Sequence, residues 1–179
     1  MGLAISIAAP LFVVALALWV MRRAWTTRNE RPSAFIPVLP GFPVDAGAER
    51  TGLLPGIYVS TVLADNPLER VVGHGLGVRS LAAVQVFDAG VRILRTNSAE
   101  LFVQRAWMRA VTTSGGQAGK FVGGEGLTVL EWRPPAVADV ELPPLVRTAV
   151  RLRRAADRQT FASVAGALLE AEPGEKEKA

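Results

Sequence analysis

The chain of 179 residues contains no cysteine and only one histidine, His74. The absence of cysteine excludes disulfide bonds, thiolate nucleophiles and cysteine-ligated metal sites. A single histidine cannot form a histidine-rich metal site, and a Ser-His-Asp arrangement would have to use His74. The sequence also has no internal repeat and no pair of titratable groups at a recognisable catalytic spacing. These absences predict a protein that is not an enzyme and that has no cofactor and no metal.

Two segments resemble catalytic or nucleotide-binding elements and fail on inspection. The stretch Ser114–Phe121, SGGQAGKF, is rich in glycine. A phosphate-binding loop needs Gly six residues before its Lys and Ser or Thr after it, and here Ser114 and Phe121 occupy those positions. No helix is predicted to follow and direct its dipole at a phosphate, so we interpret the glycines as a turn between strands. His74 lies between two glycines, a mobile setting for a general base, and is interpreted as structural.

A long uncharged segment opens the chain. No charged side chain occurs from Gly2 to Met21. Twenty helical residues span about 30 Å, the thickness of a bilayer hydrocarbon core. A cleaved signal peptide would need a basic n-region and a small-residue cleavage site, and neither is present. We predict a transmembrane anchor helix at residues 1–21, in contact with the lipid bilayer through residues 2–21.

Basic residues follow this segment directly. They carry four charges against Glu30, a local +3 within the overall +4, and they are Arg22, Arg23, Arg28 and Arg31. Positive residues stay on the cytoplasmic side, which predicts a single-pass plasma-membrane protein with the N-terminus outside and residues 22–179 in the cytoplasm. Nucleic acid is not predicted as a partner, because the basic excess adjoins the span. The arginines either bind anionic headgroups or serve only as a topology signal.

The next stretch, residues 22–56, is predicted to be a basic juxtamembrane and Pro/Gly-rich linker. Five prolines between residues 32 and 55 fix φ and remove backbone donors, which predicts an extended tether without regular elements. A folded domain is predicted at residues 57–170. The polar end, residues 171–179, is predicted to be a disordered tail.

The predicted domain is rich in short β-branched and aromatic segments. About seven strands are predicted, at Ile57–Leu63, Leu81–Phe87, Val91–Arg95, Leu101–Val103, Trp107–Thr113, Lys120–Val122 and Leu127–Trp132. The connection Asp88–Gly90 ends in glycine and predicts a hairpin. An apolar stripe at helical spacing predicts one amphipathic helix, starting at Asp157 or a few residues earlier, and comprises Phe161, Val164, Ala165, Leu168 and Leu169. The fold class is therefore mainly β (α+β), an antiparallel barrel capped by a C-terminal helix.

Two further sets of residues each allow two interpretations. A second basic cluster comprises Arg147, Arg151, Arg153, Arg154 and Arg158. If it is helical, Arg151, Arg154 and Arg158 share a face, which is either a contact for anionic lipid or a partner protein or a solvated surface. Tyr58, Trp107 and Trp132 either line a peptide groove or belong to the core.

The sequence resembles actinobacterial single-span membrane proteins with a PH-like (pleckstrin-homology-like) domain, over about residues 1–170. The segments that carry the resemblance are Gly56–Thr61, Glu69–Val71, His74–Ser80, Gly90–Ile93 with Arg95, Gly119–Lys120 and Leu130–Trp132. It implies a fold and a topology, and no activity. Eukaryotic PH domains that bind phosphoinositides use basic residues in the loop between the first two strands. Residues 64–77 offer Arg70 against two acidic residues, so this property is not carried over.

Together, these observations predict a membrane-tethered cytoplasmic PH-like module that binds a protein partner or acts as a scaffold. One alternative is an anionic-lipid surface binder that uses the arginine clusters. An enzyme of unrecognised type is the least favoured alternative.

Overall fold

The computed structural model describes residues 12–23, 36, 38–121, 126–136 and 143–170, without the side chains of residues 120 and 121. A helix, α1, covers residues 12–23, and all of its side chains are exposed. No helix within these ranges is long and apolar enough to cross a membrane. Residues 1–11 of the predicted anchor, Arg28, Arg31 and the predicted tail lie outside the described residues.

The regular elements that follow α1 are nine strands and a second helix, as far as the structure describes the chain. Their bounds are β1 Leu54–Leu63, β2 Ser80–Phe87, β3 Gly90–Arg95, β4 Leu101–Gln104, β5 Met108–Ser114, β6 Gly116–Gln117, β7 Lys120–Phe121, β8 Leu127–Trp132, β9 Val146–Leu152 and α2 Ala155–Glu170. Short 3-10 turns lie at Gly73–Gly75 and Arg105–Trp107. Seven strands form one antiparallel sheet in the order β4-β3-β2-β1-β9-β8-β5, and β6 pairs only with β7.

The long strand β1 bends the sheet into an open half-barrel. Its first half pairs with β2, and β9 pairs along its length with a bulge between Tyr58 and Ser60. A bulge increases local twist and lets one strand serve two parts of a curled sheet. Gly56 is required here because a Cβ at this position would lie 2.7 Å from the Arg151 carbonyl oxygen. The close pairing of β1 with β9 therefore depends on this glycine.

The structure confirms a seven-stranded antiparallel sheet followed by a helix, with two corrections. The barrel is open, because β4 and β5 do not pair with each other in the described part of the chain. The predicted strand at Lys120–Val122 is present as β7 over its described residues, Lys120–Phe121, but in the described part of the chain it pairs with β6 and does not join the main sheet. The seventh strand is β9, which directs Val146, Val150 and Leu152 into the core and Arg147 and Arg151 outward. The sequence indicated only a basic cluster here.

The core lies between the inner face of the sheet and α2. Tyr58 and Trp132 are fully buried, so the core interpretation is correct for both. Phe161, Ala165 and Leu168 of α2 are buried against them, and the remaining two stripe residues pack at the margin. The predicted helical stripe is therefore confirmed. The helix begins at Ala155, two residues before the predicted Asp157, and lies closest to β5.

The N-terminal segment, defined as residues 36 and 38–53, corrects the predicted free tether. It has no regular element beyond a single β-bridge to β2, as its prolines and glycines dictate. It nevertheless packs on the domain: Ile36 is 3% exposed and belongs to the core. The Phe42 ring lies 4.9 Å from that of Phe87 and 5.5 Å from that of Phe102. Long-range packing of apolar residues between the prolines made the tether prediction wrong here.

Two carboxylates fasten this segment to the sheet. Glu100 accepts hydrogen bonds from the Phe42 amide (3.1 Å) and from the Arg92 guanidinium (2.7 Å). The bond from Arg92 holds the pKa of Glu100 below its ordinary value. Asp88 accepts a bond from the Ala48 amide (2.8 Å), which is the main reason why its pKa is also lowered. The domain thus begins near residue 36 and not at residue 57.

Candidate functional site

A chain of buried hydroxyls occupies the interior of the half-barrel. The Tyr58 hydroxyl donates to the Leu76 carbonyl (2.7 Å) and shares a bond with the Thr61 hydroxyl (2.7 Å). Thr61 in turn contacts Thr148 (2.7 Å), to which Trp132 Nε1 donates (2.9 Å). Burial raises the pKa of Tyr58 far above its ordinary value, so the phenol stays neutral. Every member has a partner, and the network holds the core together instead of offering a reactive group.

Arg95 is also buried, and it too makes structural hydrogen bonds. Its guanidinium donates to the carbonyl oxygens of Ala99 (2.8 Å), Gly75 (2.8 Å) and His74 (3.1 Å). It also lies 5.0 Å from the centroid of the Tyr58 ring. Its donors are directed at backbone, so Arg95 joins the β1–β2 loop to the end of β3 and is not available to a ligand.

His74 connects two parts of the same region. Its Nε2 lies 3.0 Å from the Ile36 carbonyl oxygen, and its backbone has a left-handed φ of 55°. The ring therefore links the N-terminal segment to the loop after β1. This geometry agrees with the structural interpretation of His74.

The glycine-rich stretch forms the β6–β7 hairpin, as the turn interpretation predicts. Ala118 and Gly119, with φ of 54° and 75°, make its turn. Gln117 Nε2 donates to the carbonyl oxygens of Ser60 (2.8 Å) and Arg147 (3.3 Å), so the hairpin lies across β1 and β9. Within the described ranges, no three metal-ligating side chains of His, Asp or Glu come together.

The predicted arginine sites do not form one cluster. Arg22 and Arg23 are the last described residues of α1. The expectation that Arg151 shares a helical face with Arg154 and Arg158 is wrong, because Arg151 lies in β9 and points outward from the sheet. Arg154 immediately precedes α2 and Arg158 lies in its first turn, so only these two share a helix end. Their role as lipid or partner contacts stays a prediction.

The free edge of β5 is the feature with the clearest binding chemistry. β5 pairs with β8 on one side, and no described residue pairs with its other side. We define the β5 edge as Ala110–Ser114, a run without charge or proline. Proteins normally protect free edges with charges, prolines or short strands, because unpaired backbone groups recruit further strands. The opposite edge, β4, is only four residues long.

The surroundings of the β5 edge offer further contacts. Trp107 and Val111 are half-buried and pack at the margin of the core, so each keeps apolar surface exposed. Arg109 is exposed and donates to the Ala106 and Met108 carbonyls (2.8 and 2.7 Å) without an ion pair to any described carboxylate. Of the three predicted aromatic candidates, only Trp107 therefore lies at a candidate binding surface.

Comparison with known proteins agrees with this fold. Residues 36–164 match the family described as Bacterial PH domain-like. The chain belongs to this family. Membership indicates a binding or scaffolding module, since PH-like domains are generally not catalytic. The family match begins at residue 36, where the N-terminal segment enters the core of this PH-like domain.

Other comparisons add little. No curated protein matches this PH-like chain. A chain of the solved structure "The 8S snRNP Assembly Intermediate" is similar with a TM-score of 0.47 and 10% identity, over 81% of this chain and 97% of that chain. This likeness is too weak to carry an argument.

Proposed function

We propose that this PH-like chain is a membrane-tethered module that binds an extended segment of a partner protein at the β5 edge. The observation that carries the proposal is the run Ala110–Ser114, which pairs with no described residue on one side and lacks any protecting charge or proline. An extended peptide can add to such an edge as a further strand. Main-chain hydrogen bonds then supply affinity, and side-chain contacts supply specificity.

The neighbouring side chains define the chemistry of the partner. Trp107 and Val111 offer apolar surface, and aromatic residues are frequent anchors in protein interfaces. Arg109 adds a positive charge with no carboxylate partner among the described residues. The partner segment should therefore be extended, with an apolar residue facing Trp107 and an acidic residue facing Arg109.

The tether is supported by the N-terminal helix. All side chains of residues 12–23 are exposed, including Phe12 (68%) and Leu18 (61%), which is unfavourable in water. The uncharged run from residue 2 to residue 21 and the arginines that follow it favour a single-pass anchor in the plasma membrane. In this arrangement the N-terminus is outside and the PH-like domain is cytoplasmic.

Selection from a random-peptide library against the full chain in lipid nanodiscs tests the edge. Enriched peptides should contain an apolar and an acidic residue, and their binding should slow amide exchange in β5. Adding charge through Thr112→Lys with Thr113→Lys protects the edge in the way natural edges are protected. We expect this double variant to weaken binding at least tenfold, about 1.4 kcal/mol.

Thr96→Lys, at an exposed position after β3 whose amide bonds to Leu81 of β2, is the matched control and should leave binding unchanged. Equal affinity of the double variant and the control would place the binding site elsewhere. Pairing of two β5 edges in a concentration-dependent dimer, abolished by the same double variant, would assign the edge to self-association and overturn the partner proposal.

A further inference from the structure

A second surface lies on the outer face of β1, β2 and β3. Residues directly opposite each other in neighbouring strands share a face of the sheet. Ile57 of β1 lies opposite Leu81 of β2 on one side and opposite Arg151 of β9 on the other. These three residues therefore form a row across the sheet, with the arginine at one end.

The adjacent row repeats this arrangement. Pro55 lies opposite Ala83, and Ala83 lies opposite Leu94 of β3. Arg153 follows β9, and its amide donates to the Pro55 carbonyl (3.1 Å), which places Arg153 at the end of this row. We define the sheet patch as these two rows, which comprise Pro55, Ile57, Leu81, Ala83, Leu94, Arg151 and Arg153.

The sheet patch is apolar at its centre, and no described residue covers it. Leu81 is 57% exposed, and Ile57, Ala83 and Leu94 are only half-buried. The other half of the same face is covered, because Phe42 of the N-terminal segment packs on Phe102 and lies 4.1 Å below the Arg92 guanidinium. The N-terminal segment therefore covers the part of the face next to the patch. An exposed apolar sheet face normally contacts a partner.

The charge at the rim has a single sign. Arg151 and Arg153 are exposed, and neither forms an ion pair with a described carboxylate. Arg79 is also exposed and immediately precedes β2, at the end of the strand where Leu81 lies. Apolar side chains bordered by arginines match a membrane interface, where the former enter the acyl boundary and the latter bind anionic headgroups.

We infer that the sheet patch lies on the anionic surface of the membrane that anchors the chain; this inference rests on the proposed tether. Only residues 24–35 lie between Arg23, the last described residue of α1, and Ile36, so this stretch reaches at most about 45 Å. A contact held this close acts at high effective concentration, and a weak affinity is then sufficient. Phe42 of the N-terminal segment also lies on the same face as the patch, so part of the chain that follows the tether runs along that side.

Depth-dependent quenching tests this inference on the full chain. The chain has no cysteine, so Leu81→Cys provides one attachment site for an environment-sensitive fluorophore. The labelled chain is reconstituted into vesicles of phosphatidylcholine with or without phosphatidylglycerol, together with a nitroxide-labelled lipid. We expect a blue shift and strong quenching only with phosphatidylglycerol, decreasing as salt is raised. A label at Ser163→Cys, exposed on α2, is the matched control and should stay unquenched.

Reversal of charge at Arg151→Glu with Arg153→Glu should reduce quenching of the Leu81→Cys label severalfold, with the circular dichroism spectrum unchanged. Co-flotation of the chain with vesicles while this label is quenched no more than the Ser163→Cys label would overturn the inference and leave the tether intact. Failure to co-float would overturn the tether and the inference together. Protection of the label that is independent of lipid and rises with protein concentration would assign the patch to a protein and overturn the lipid contact.

Discussion

At the scale of single residues, the buried phenol of Tyr58 makes the domain less stable at alkaline pH. Burial raises its pKa in the folded state above the ordinary value near 10, which the unfolded chain retains. Ionisation of Tyr58 therefore leaves the free energy of unfolding unchanged below about pH 10. Above this pH the free energy of unfolding falls by at most about 1.4 kcal/mol per pH unit.

Tyr58 is the only tyrosine, so phenolate absorbance reports on this group alone. We expect the absorbance to appear together with unfolding in an alkaline titration. Tyr58→Phe should remove the part of the alkaline destabilisation that is due to Tyr58. At neutral pH it should lower the free energy of unfolding by about 1–3 kcal/mol, because the hydrogen bonds to Thr61 and Leu76 are lost. Phenolate formation in the folded protein would contradict the argument.

Two glycines with opposite surroundings provide a second prediction. Gly90 has φ of 149°, and a Cβ there would lie 2.2 Å from the Val103 carbonyl oxygen. Gly90→Ala should therefore destabilise the fold by more than about 1 kcal/mol, because both the backbone and the neighbouring strand must shift. Gly166 in α2 has nothing within 4 Å, so Gly166→Ala should instead stabilise the helix by up to about 1 kcal/mol. Urea melts that shifted in the same direction would refute this contrast.

At the scale of elements, α2 closes the core. Truncation of its three buried residues should therefore destabilise the domain most. Phe161 and Leu168 are 5% and 8% exposed. Phe161→Ala or Leu168→Ala should lower the free energy of unfolding by about 2–5 kcal/mol, from lost apolar burial and the cavity left behind. Gln159→Ala, on the exposed side of the same helix, should have almost no effect. An unchanged urea midpoint for Leu168→Ala would mean that α2 does not pack on the sheet.

Elements governed by local pattern could be predicted, and those governed by long-range pairing could not. The hairpin at Asp88–Gly90 and the stripe of α2 are local signals and were correct. β9 was missed because its outward arginines, Arg147 and Arg151, dominate a seven-residue segment, and Arg147 is explained only by its ion pair with Glu131 of β8 (2.7 Å). The pairing partner that makes β9 a strand lies far away in the sequence.

At the scale of the whole molecule, the N-terminal segment is a structural part of the domain. Phe42→Ala should lower the free energy of unfolding by about 1–3 kcal/mol, because the half-buried ring contacts Phe87 and Phe102. Val44 is fully exposed, so Val44→Ala is the matched control and should leave the urea midpoint unchanged. Equal midpoints of the two variants would restore the free-tether interpretation.

The proposed topology gives a second prediction at this scale. The arginines after the apolar run should retain the domain in the cytoplasm. Alkaline phosphatase fused after Ala179 should therefore be inactive, and a fluorescent protein fused at the same position should be active. Reversing Arg22 and Arg23 to glutamate should increase phosphatase activity. An active phosphatase fusion to the unchanged chain would place the domain on the outside.

Neither proposed binding surface could be assembled from the sequence, for the same physical reason. The residues of the β5 edge are ordinary strand formers, and only the strand order leaves them unpaired. The sheet patch joins residues as distant as Ile57 and Arg151 through strand register. The available signals were Trp107, the second basic cluster and the absence of charge in Ala110–Ser114. They acquire meaning only once the positions of these residues in the sheet are known.

The pairing of the first and last sheet strands also has a consequence for biosynthesis. Gly56 pairs with Leu152, so β1 must wait for β9 to be translated before the middle of the sheet can form. Contacts so distant in sequence make folding slow and leave strand edges open in the meantime. A nascent chain that stops before Val146 would leave β1 and β8 each without the partner strand β9 on one side. Ribosome stalling or premature termination in this interval should therefore produce aggregates, whereas release after α2 should produce a folded domain.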